Sequence, residues 1–376
     1  MADLHRLHPS QLQLNEPLPW DVCDRNGQLL LRRGYVVLRE PQIERLLEIG
    51  MFVNAEAFRA WDAQHADVKR AKDPLAQWKE VQGALGAMCS DPPKDGSFAE
   101  RVQSLARAVI DLCSRYPDLV LAGIQLLEFR RYPLAHALHV AVLAELVARK
   151  GDFDEETRMS LCCAALTENA AIHELQHALY FQKLAPTNEQ RQQIQDHPMR
   201  SARLLQDCGV SDKEWLRAVL EHHENPEGTG YPRKVQHPSM LALLIHDCDV
   251  YAAKISGRAT RKALTPPDAA KRVYMELAHG KENPFAGLLL KEVGMYPPGT
   301  FVRLANGELG VVWKRNLENS SAPVVAVLVS AKGLKHMEPV RRELGSHDQF
   351  KIVGVMPREN SMMAINFEQL WVRARA

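Results

Sequence analysis

The chain has 376 residues, enough for two or three domains, and is 46% hydrophobic and 25% charged, as is typical of a globular protein. Its formal charge of +1 provides no overall field for gathering nucleic acid or an anionic membrane, and we therefore predict no DNA partner.

The N-terminal residues 1–55 are predicted to form a small β-hairpin and helix module. Two strand-like runs within residues 17–37 flank Asn26-Gly27, a dipeptide suited to a tight turn with positive φ. The run REPQIERLLEIGMF that follows has helical spacing. Residues 56–115 are predicted as a helical or partly ordered connector, in which the stretch 56–100 is polar and weakly periodic.

Helical patterns dominate the chain from about Glu56 to Pro284. The run ERVQSLARAVIDLCSRY repeats apolar residues at helical intervals, and SLCCAALTENAA is apolar nearly all round, which is typical of a buried central helix. Thr187 is a predicted N-cap, Ser211 with Glu214 has the pattern of a capping box, and Pro238 is predicted to open a further helix.

Residues 295–376 change character and are predicted to form a small β-rich C-terminal tail. Asn306-Gly307 separates two strand-like runs, and PVVAVLVSA and FKIVGVM supply further strands. The predicted fold is therefore mainly α, with a small β-containing module at each end.

The predicted location of the protein is the cytoplasm. Its seven cysteines include no C-x-x-C pair, which argues against a disulfide framework or a thiolate zinc site and fits a reducing compartment. The N-terminal stretch lacks the apolar core of a signal peptide, and no apolar run approaches the roughly 18 residues of a membrane span.

Histidines are concentrated in the helical section, where nine of the fifteen lie between residues 136 and 246. Histidine is the commonest metal-binding side chain, so the cluster raises a metal hypothesis. His173-Glu174-Leu175-Gln176-His177 matches H-E-x-x-H, in which two histidines four residues apart share a helix face and can bind zinc. The match is short, and Glu189 is a poor third ligand because a new helix begins before it. We therefore do not favour a metalloprotease.

A longer series of motifs is more specific. It comprises His136 in YPLAHALHVAVLA, ALTENAA, His197 in QDHPMRSARLL, the run EHHENPEGTGYP, and Asp249 in HDCDVYAAKISGRATR. In this order the motifs resemble the HD-GYP branch of the HD superfamily of metal-dependent phosphohydrolases, whose members hydrolyse the bacterial messenger cyclic di-GMP. The resemblance spans about residues 116–294, and H-H-E-x-x-x-G-x-G-Y-P is its most specific part.

The resemblance implies a helical bundle around a centre of divalent transition metals. Carried over by position, the metal ligands are His136, Glu168, His197, His222, His223 and Asp249. Imidazoles and carboxylates suit Fe, Mn, Zn or Ni, and we expect one or two ions. The resemblance also implies ligand-binding positions at Gly230, Tyr231, Pro232, Arg258 and Arg261. The alternative for the two arginines is a solvated surface or the capping of a helix C-terminus.

The sequence departs from the family at the pair that gives the family its name. Glu168 and Asn169 occupy the positions of the His-Asp pair, and Ile172 occupies that of the family lysine. The family aspartate bridges two metals, whereas a neutral amide is a much weaker ligand for a hard cation. Tyr132 stands where members with three metals have a glutamate, so a third metal is not expected. No residue of the chain is therefore assigned a catalytic role.

Three functions follow from this pattern. The first is a degenerate HD-GYP protein that binds cyclic di-GMP or a protein partner in signalling, with weak or no phosphodiesterase activity. The second is an active phosphodiesterase with a remodelled site, and the third is an interaction scaffold without a ligand. The first is favoured because catalysis depends on the bridging aspartate more than binding does. His139 and His246 are predicted to support the core or the ligands, and the scattered tryptophans do not indicate a nucleic-acid platform.

Overall fold

A computed structural model describes most of the chain, namely residues 4–6, 17–37, 51–59, 73–90, 96–127, 131–277, 284–345, 348–356 and 365–371. The chain divides into two compact units, Met1–Asp73 and Pro74–Ala376. The four-part division expected from the sequence stays a prediction. None of the helices in the described ranges is both long and apolar enough to cross a membrane.

The first unit contains a four-stranded sheet. Its strands are β1 (Leu4–Arg6), β2 (Val22–Cys23), β3 (Leu29–Leu31) and β4 (Phe52–Asn54), in the order β1-β4-β2-β3. The predicted hairpin is present, since β2 and β3 pair antiparallel and Gly27 has a φ of +84° in the connection. A short helical turn covers residues 55–59, while most of the predicted helix REPQIERLLEIGMF lies outside the described residues.

The second unit is mainly helical, as predicted. Its helices before the C-terminal sheet are α1 (Pro74–Ser90), α2 (Phe98–Arg115), α3 (Pro117–Leu126), α4 (Tyr132–Lys150), α5 (Glu155–Thr167), α6 (His173–Phe181), α7 (Asn188–Asp207), α8 (Lys213–Glu221), α9 (Met240–Ile255), α10 (Pro266–Leu277) and α11 (Phe285–Val293).

The most buried helices position the site. Along α4, nearly every residue from His136 to Ala148 is buried, and the last eight residues of α5 are buried as well. Such helices are apolar on all sides because other helices surround them. The amphipathic α2 packs beside them through Val102, Leu105, Val109 and Leu112, the stripe expected from the sequence.

Three features differ from the expectations. Helix α1 lies within a stretch judged too weakly periodic, although Trp78, Val81, Leu85 and Met88 all face the core. The N-cap of α8 is Asp212, not Ser211, and the N-cap of α9 is Ser239, one residue after Pro238. In both cases the side-chain oxygen that reaches the third backbone N–H of the helix decides where the helix begins. Thr187 caps α7 with a complete capping box, as predicted.

The C-terminal part forms a five-stranded antiparallel sheet, ordered β8-β7-β6-β5-β9. Its strands are β5 (Phe301–Leu304), β6 (Leu309–Lys314), β7 (Val324–Val329), β8 (Lys335–Glu343) and β9 (Ile352–Met356), and a 3₁₀ turn (Asp348–Phe350) and helix α12 (Phe367–Trp371) complete it. The predicted hairpin at Asn306-Gly307 joins β5 to β6, with Gly307 at a φ of +89°.

The sheet is fastened to the helices by one buried arginine. Arg315, just after β6, donates to Asp118 of α3 at 2.6 Å and to the Glu292 side chain of α11 at 2.6 Å. Phe301, Val311 and Ala326 of the sheet belong to the same apolar core as the helices. The sheet and the bundle are therefore parts of one packed unit.

Candidate functional site

Helix α7 orients His197 through the proline that follows it. Pro198 lacks a backbone N–H, so the carbonyl of Ile194, four residues earlier, has no helical hydrogen bond to accept from it. The Nδ1–H of His197 donates to this carbonyl at 2.6 Å. The Nε2 lone pair of the ring consequently points away from α7 and into the bundle.

The two adjacent histidines lie where α8 ends. Helix α8 stops at Glu221, and its last carbonyls have no partner within the helix. The Nδ1–H of His222 donates to one of them, the carbonyl of Val219, at 2.7 Å. The ring centroid of His223 lies 4.1 Å from that of His222, because the chain leaves the helix between the two residues.

The three imidazoles converge on one point. The Nε2 atoms of His197 and His222 are 3.1 Å apart, and one ring nitrogen of His223 lies with them within a 4.8 Å group. Since both Nδ1 atoms carry the proton, the two facing Nε2 atoms are lone pairs that cannot hydrogen-bond each other. Burial lowers the pKa of all three rings, that of His222 to about 3, and they are neutral at pH 7.

A second group of three ligands lies in the same bundle. His136 of α4, Glu168 at the end of α5 and Asp249 of α9 have ligand atoms within 4.8 Å of one another. The Nε2 of His136 is 2.6 Å from a carboxylate oxygen of Asp249. Burial opposes the charge of Asp249, but the bond from His136 and the surrounding histidines outweigh it and hold its pKa below the usual range.

Glu168 and Asn169 begin a tight turn after α5. Glu168 is fully buried, and burial together with Asp249 holds its pKa well above the usual range. One of its oxygens accepts from the Asn169 amide at 3.1 Å, while the other is buried without a hydrogen-bond partner. The turn is held by Ala171, whose N–H donates to Ser201 of α7 at 3.1 Å.

The G-Y-P segment packs directly against the histidines. A Cβ at Gly230 would lie 2.4 Å from the His223 carbonyl oxygen, so only glycine fits there. Tyr231 donates its backbone N–H to the same carbonyl at 3.1 Å, and its ring centroid is 4.6 Å from that of His223. The peptide bond between Tyr231 and Pro232 is cis.

A cavity of about 180 Å³ opens beside both ligand groups. Its lining includes His136, Asn169, His197, His223 and Asp249, together with Tyr132, Ile172, Tyr231 and Arg258. The cavity is therefore shaped by metal-ligand candidates on one side and by an arginine and aromatic rings on the other.

The two predicted ligand arginines differ in their surroundings. Arg258 lines the cavity, with its guanidinium 5.8 Å from the ring centroid of Tyr132. Arg261 does not line the cavity and donates to the carbonyl of Ala253 near the C-terminus of α9 at 2.5 Å. Pro232 is also outside the cavity lining, so ligand contact at both positions stays a prediction.

The residues present fit a divalent transition metal. The facing lone pairs of His197 and His222 suit a cation between them, and His223 completes a three-nitrogen set. Glu168 has a carboxylate oxygen available toward His136 and Asp249, which fits a second ion. The two sets would hold one ion each, with the imidazole-only set the better formed.

The H-E-x-x-H stretch does not join either set. His173 and His177 lie on α6, and among the described residues they belong to neither group of metal-ligand candidates. Tyr132 places its hydroxyl 3.5 Å from Nδ1 of His136, where it supplies no carboxylate for a third metal. His139 is buried in α4, and His246 donates to the His222 carbonyl at 3.0 Å, a supporting contact of the kind expected.

Two buried glutamates hold the site loop, and the sequence analysis had assigned them no role. Glu224 accepts from the backbone N–H groups of Arg233 at 2.6 Å and Val235 at 3.0 Å. Glu221 accepts from the backbone N–H of Ser239 at 2.8 Å and from Arg217. Their places on either side of the His-His pair, Glu221 as the last residue of α8 and Glu224 in the turn that follows, were the available signal.

Comparison with known proteins supports the interpretation of this geometry. A family model described as "HD domain" matches residues 112–279. The chain is 28% identical over 260 residues to the protein named Cyclic di-GMP phosphodiesterase PA4108 of Pseudomonas aeruginosa, covering 68% of this chain and 62% of that protein.

A second relative has a different cyclic dinucleotide in its name. The chain is 25% identical over 217 residues to the 3'3'-cGAMP-specific phosphodiesterase 3 of Vibrio cholerae, covering 56% of this chain and 47% of that protein. The chain thus spans less than two thirds of the length of either relative.

A solved structure shows the same fold. Bd1817, a HDG"Y"P protein from Bdellovibrio bacteriovorus, superposes with a TM-score of 0.51 at 18% identity, covering 76% of this chain and 98% of that one. The predicted HD-type helical fold is confirmed.

Proposed function

We propose that this chain, which contains an HD domain and resembles the HD-GYP family with Glu168 and Asn169 in place of the His-Asp pair, is a cyclic di-GMP receptor with weak or no phosphodiesterase activity. The observation that carries the proposal is the cavity in which Arg258 faces the metal-ligand candidates while Asn169 replaces the bridging carboxylate. The receptor would act in bacterial signalling through a protein partner.

The binding side of the proposal depends on phosphate chemistry. Arg258 offers forked donors to a phosphate oxygen and lies over the ring of Tyr132. A metal bound by His197, His222 and His223 supplies a positive charge that attracts a phosphate into the cavity. Tyr231 packs its ring against His223, with the ring centroids 4.6 Å apart.

The loss of catalysis follows from Asn169. The side-chain amide of Asn169 donates to Glu168, which makes it a hydrogen-bond donor rather than an anionic bridge. Ile172 lines the cavity with an apolar side chain where the family has a lysine, so one phosphate contact is removed. Both changes weaken the stabilisation of a reacting phosphate more than they weaken ground-state binding.

One observation favours the alternative of an active phosphodiesterase. Glu168 keeps a carboxylate within reach of His136 and Asp249, so that a second ion has three ligands. A two-metal centre of this kind could still activate water for attack on phosphorus. The two functions therefore predict different metal content and different turnover.

The decisive experiment measures binding and turnover on the same preparation. The full chain is loaded with Mn²⁺ or Fe²⁺, its metal content is measured, and it is titrated calorimetrically with cyclic di-GMP and with 3'3'-cGAMP. We expect binding of cyclic di-GMP without release of pGpG or GMP. Release of pGpG or GMP at enzymatic rates would overturn the receptor proposal. If neither dinucleotide binds, the remaining function is that of an interaction scaffold.

Point variants test which residues contact cyclic di-GMP and which hold the metal. Arg258→Ala is expected to weaken affinity for cyclic di-GMP at least tenfold, whereas Arg303→Ala, which removes an exposed arginine of β5, should leave it unchanged. Arg261→Ala tests the second predicted contact. Glu168→His combined with Asn169→Asp is expected to raise the metal content toward two ions per chain, and unchanged content would show that the second set has lost its geometry.

A further inference from the structure

A basic groove lies between α7 and α8, separate from the cavity described above. It has a volume of about 730 Å³ and shares no lining residue with that cavity. Four cationic side chains line it, against two carboxylates, Asp207 and Glu221. The cations are Arg203, Lys213, Arg217 and Arg233.

The cations of the groove are poorly compensated by the protein itself. Among the ion pairs of the described residues, Arg203 and Lys213 have none, while Arg217 and Arg233 share the single carboxylate of Glu221 at 3.1 and 3.6 Å. Lys213 and Arg217 lie four residues apart on α8, a spacing at which like charges repel. Lys213 is also the first residue of α8, where the helix dipole favours an anion. An anion bound in the groove would reduce both the repulsion between the cations and the unfavourable interaction of Lys213 with the helix dipole.

The floor of the groove is apolar. Met199 and Ala202 of α7 face Leu216 and Leu220 of α8, and Met199 is 48% exposed. A volume of this size lies within the range of small-molecule pockets, which is roughly 300–1,000 Å³. An apolar floor with a cationic rim suits a ligand that has both a flat organic part and a clustered negative charge.

We propose that this groove binds a nucleoside polyphosphate, with the phosphates on Arg203, Lys213, Arg217 and Arg233 and the base on the apolar floor. Three of the four cations are arginines, whose planar forks match phosphate oxygens in pairs. The groove is concave and only four cations long, which does not suit a nucleic-acid backbone. The proposal is independent of cyclic di-GMP binding.

The groove is linked to the candidate metal site through Glu221. This glutamate precedes His222 and anchors Ser239, while its partners Arg217 and Arg233 line the groove. A phosphate that draws the two arginines away from Glu221 changes the contacts at the end of α8, next to the metal-ligand histidines. The bound nucleotide would therefore act as an effector of the site.

The test is calorimetric titration of the metal-loaded full chain with GTP, ATP and pyrophosphate. The expected result is binding of all three, weakened at least tenfold in the double variant Arg203→Ala, Lys213→Ala. Both residues are exposed, so their replacement leaves the fold intact. The matched control is Lys332→Ala with Lys335→Ala, which removes two exposed cations in and after the β7–β8 turn and should leave the affinity unchanged.

Two further arms separate the ligand classes and the sites. Vesicles containing phosphatidic acid test whether a lipid phosphate is the source, and binding to vesicles but not to nucleotides would overturn a soluble ligand. A hexaglutamate peptide that binds as tightly as pyrophosphate would overturn the preference for phosphate. Nucleotide binding must also persist in Arg258→Ala, because loss there would place the ligand in the other cavity.

Discussion

At the scale of single residues, His197 and His222 are oriented by backbone carbonyl groups that have no hydrogen bond within their helices. Pro198 frees the carbonyl that orients His197, and the end of α8 frees the carbonyl that orients His222. Neither effect involves a charge, yet together they fix the tautomers of both imidazoles. The motif D-H-P therefore has a physical explanation at the level of one missing N–H.

Tyr132 is expected to position Arg258 for ligand binding. The Arg258 guanidinium lies 5.8 Å from its ring centroid, so Tyr132→Ala, which removes this cation–π contact, should weaken cyclic di-GMP binding about threefold to tenfold. The effect should vanish in an Arg258→Ala background, which calorimetry on the four members of a double-mutant cycle measures. Equal losses in both backgrounds would assign Tyr132 a direct contact with the ligand instead.

Gly230 is expected to be the least replaceable glycine of the site loop. In Gly230→Ala the new methyl group would meet the His223 carbonyl, and we expect a loss of about 2–3 kcal/mol in the free energy of unfolding, measured by denaturant titration. Gly287→Ala in α11 is the control, because its Cβ has no atom within 4 Å and should stabilise the helix by up to about 1 kcal/mol. A neutral Gly230→Ala would show that the loop can move away from the histidines.

At the scale of elements, three of the six metal-ligand candidates lie within helices and three lie where a helix ends. Glu168 follows the last residue of α5, His222 follows the last residue of α8, and both are placed where the chain turns out of the helix. The starting point of α8 is consequently important for the site. It is fixed by Asp212, whose carboxylate accepts from the backbone N–H of Trp215 at 3.0 Å and from Ser160 of α5 at 2.6 Å.

Asp212→Ala is expected to lower the free energy of unfolding by about 1–2 kcal/mol, because the helix loses its cap and α8 loses its bond to α5. Ser211→Ala should change it by less than about 0.5 kcal/mol, since Ser211 is exposed and outside the cap. Urea titrations of the two variants make the comparison. If Ser211→Ala were the more destabilising variant, Ser211 would be the N-cap of α8, as the capping-box pattern in the sequence predicted.

At the scale of the whole molecule, one buried charge network joins the C-terminal sheet to the bundle. Arg315→Ala leaves Asp118 and Glu292 without their shared cation, and we expect a loss of about 3–5 kcal/mol measured by denaturant titration. Arg303→Ala, an exposed arginine of the same sheet, should change stability by less than about 0.5 kcal/mol. A small effect of Arg315→Ala would mean that the apolar contacts alone hold the sheet.

Buried titratable groups make the stability of the metal-free protein depend on pH. Burial lowers the pKa of His139 and His222 to about 3 and raises that of Glu145 to about 7. His173 and His223 shift in the same direction as the first two, and Glu168 shifts in the same direction as Glu145. Below pH 6.5 the histidines of the unfolded chain bind protons that the buried histidines of the folded chain do not bind. The free energy of unfolding therefore decreases as the pH is lowered. Above pH 4.5 the two glutamates have the opposite effect on the free energy of unfolding, because they hold protons in the folded chain that they have lost in the unfolded chain.

Because the histidines outnumber the glutamates, the free energy of unfolding should fall by about 1–3 kcal/mol per pH unit between pH 6.5 and 5, in the presence of a chelator. Glu145→Gln removes one opposing group and should steepen this slope by about 1 kcal/mol per pH unit. Denaturant titrations across the range give the slope directly. A slope of zero in both proteins would mean that the buried histidines keep their usual pKa values.

The sequence by itself determined most of the elements and the resemblance to the HD-GYP family. Apolar spacing predicted α2 and the buried α5, turn dipeptides predicted the hairpins at Gly27 and Gly307, and the ordered motifs predicted the HD-type bundle. These features depend on local periodicity and local backbone preferences, which a linear sequence records. The start of α8 was missed because Ser211 and Asp212 are both good caps, and only the contacts that Asp212 makes with Trp215 and Ser160 in the folded chain distinguish them.

Only the tertiary structure decided which side chains meet. His197 and His222 are 25 residues apart and His136 and Asp249 are 113 apart, yet each pair is in contact. It also decided that Arg258 lines the cavity while Arg261 bonds to the end of α9, a choice that the sequence had left open. The basic groove likewise exists only because α7 and α8 pack side by side. Such contacts depend on how helices pack across the chain, and no local pattern records the direction in which a side chain finally points.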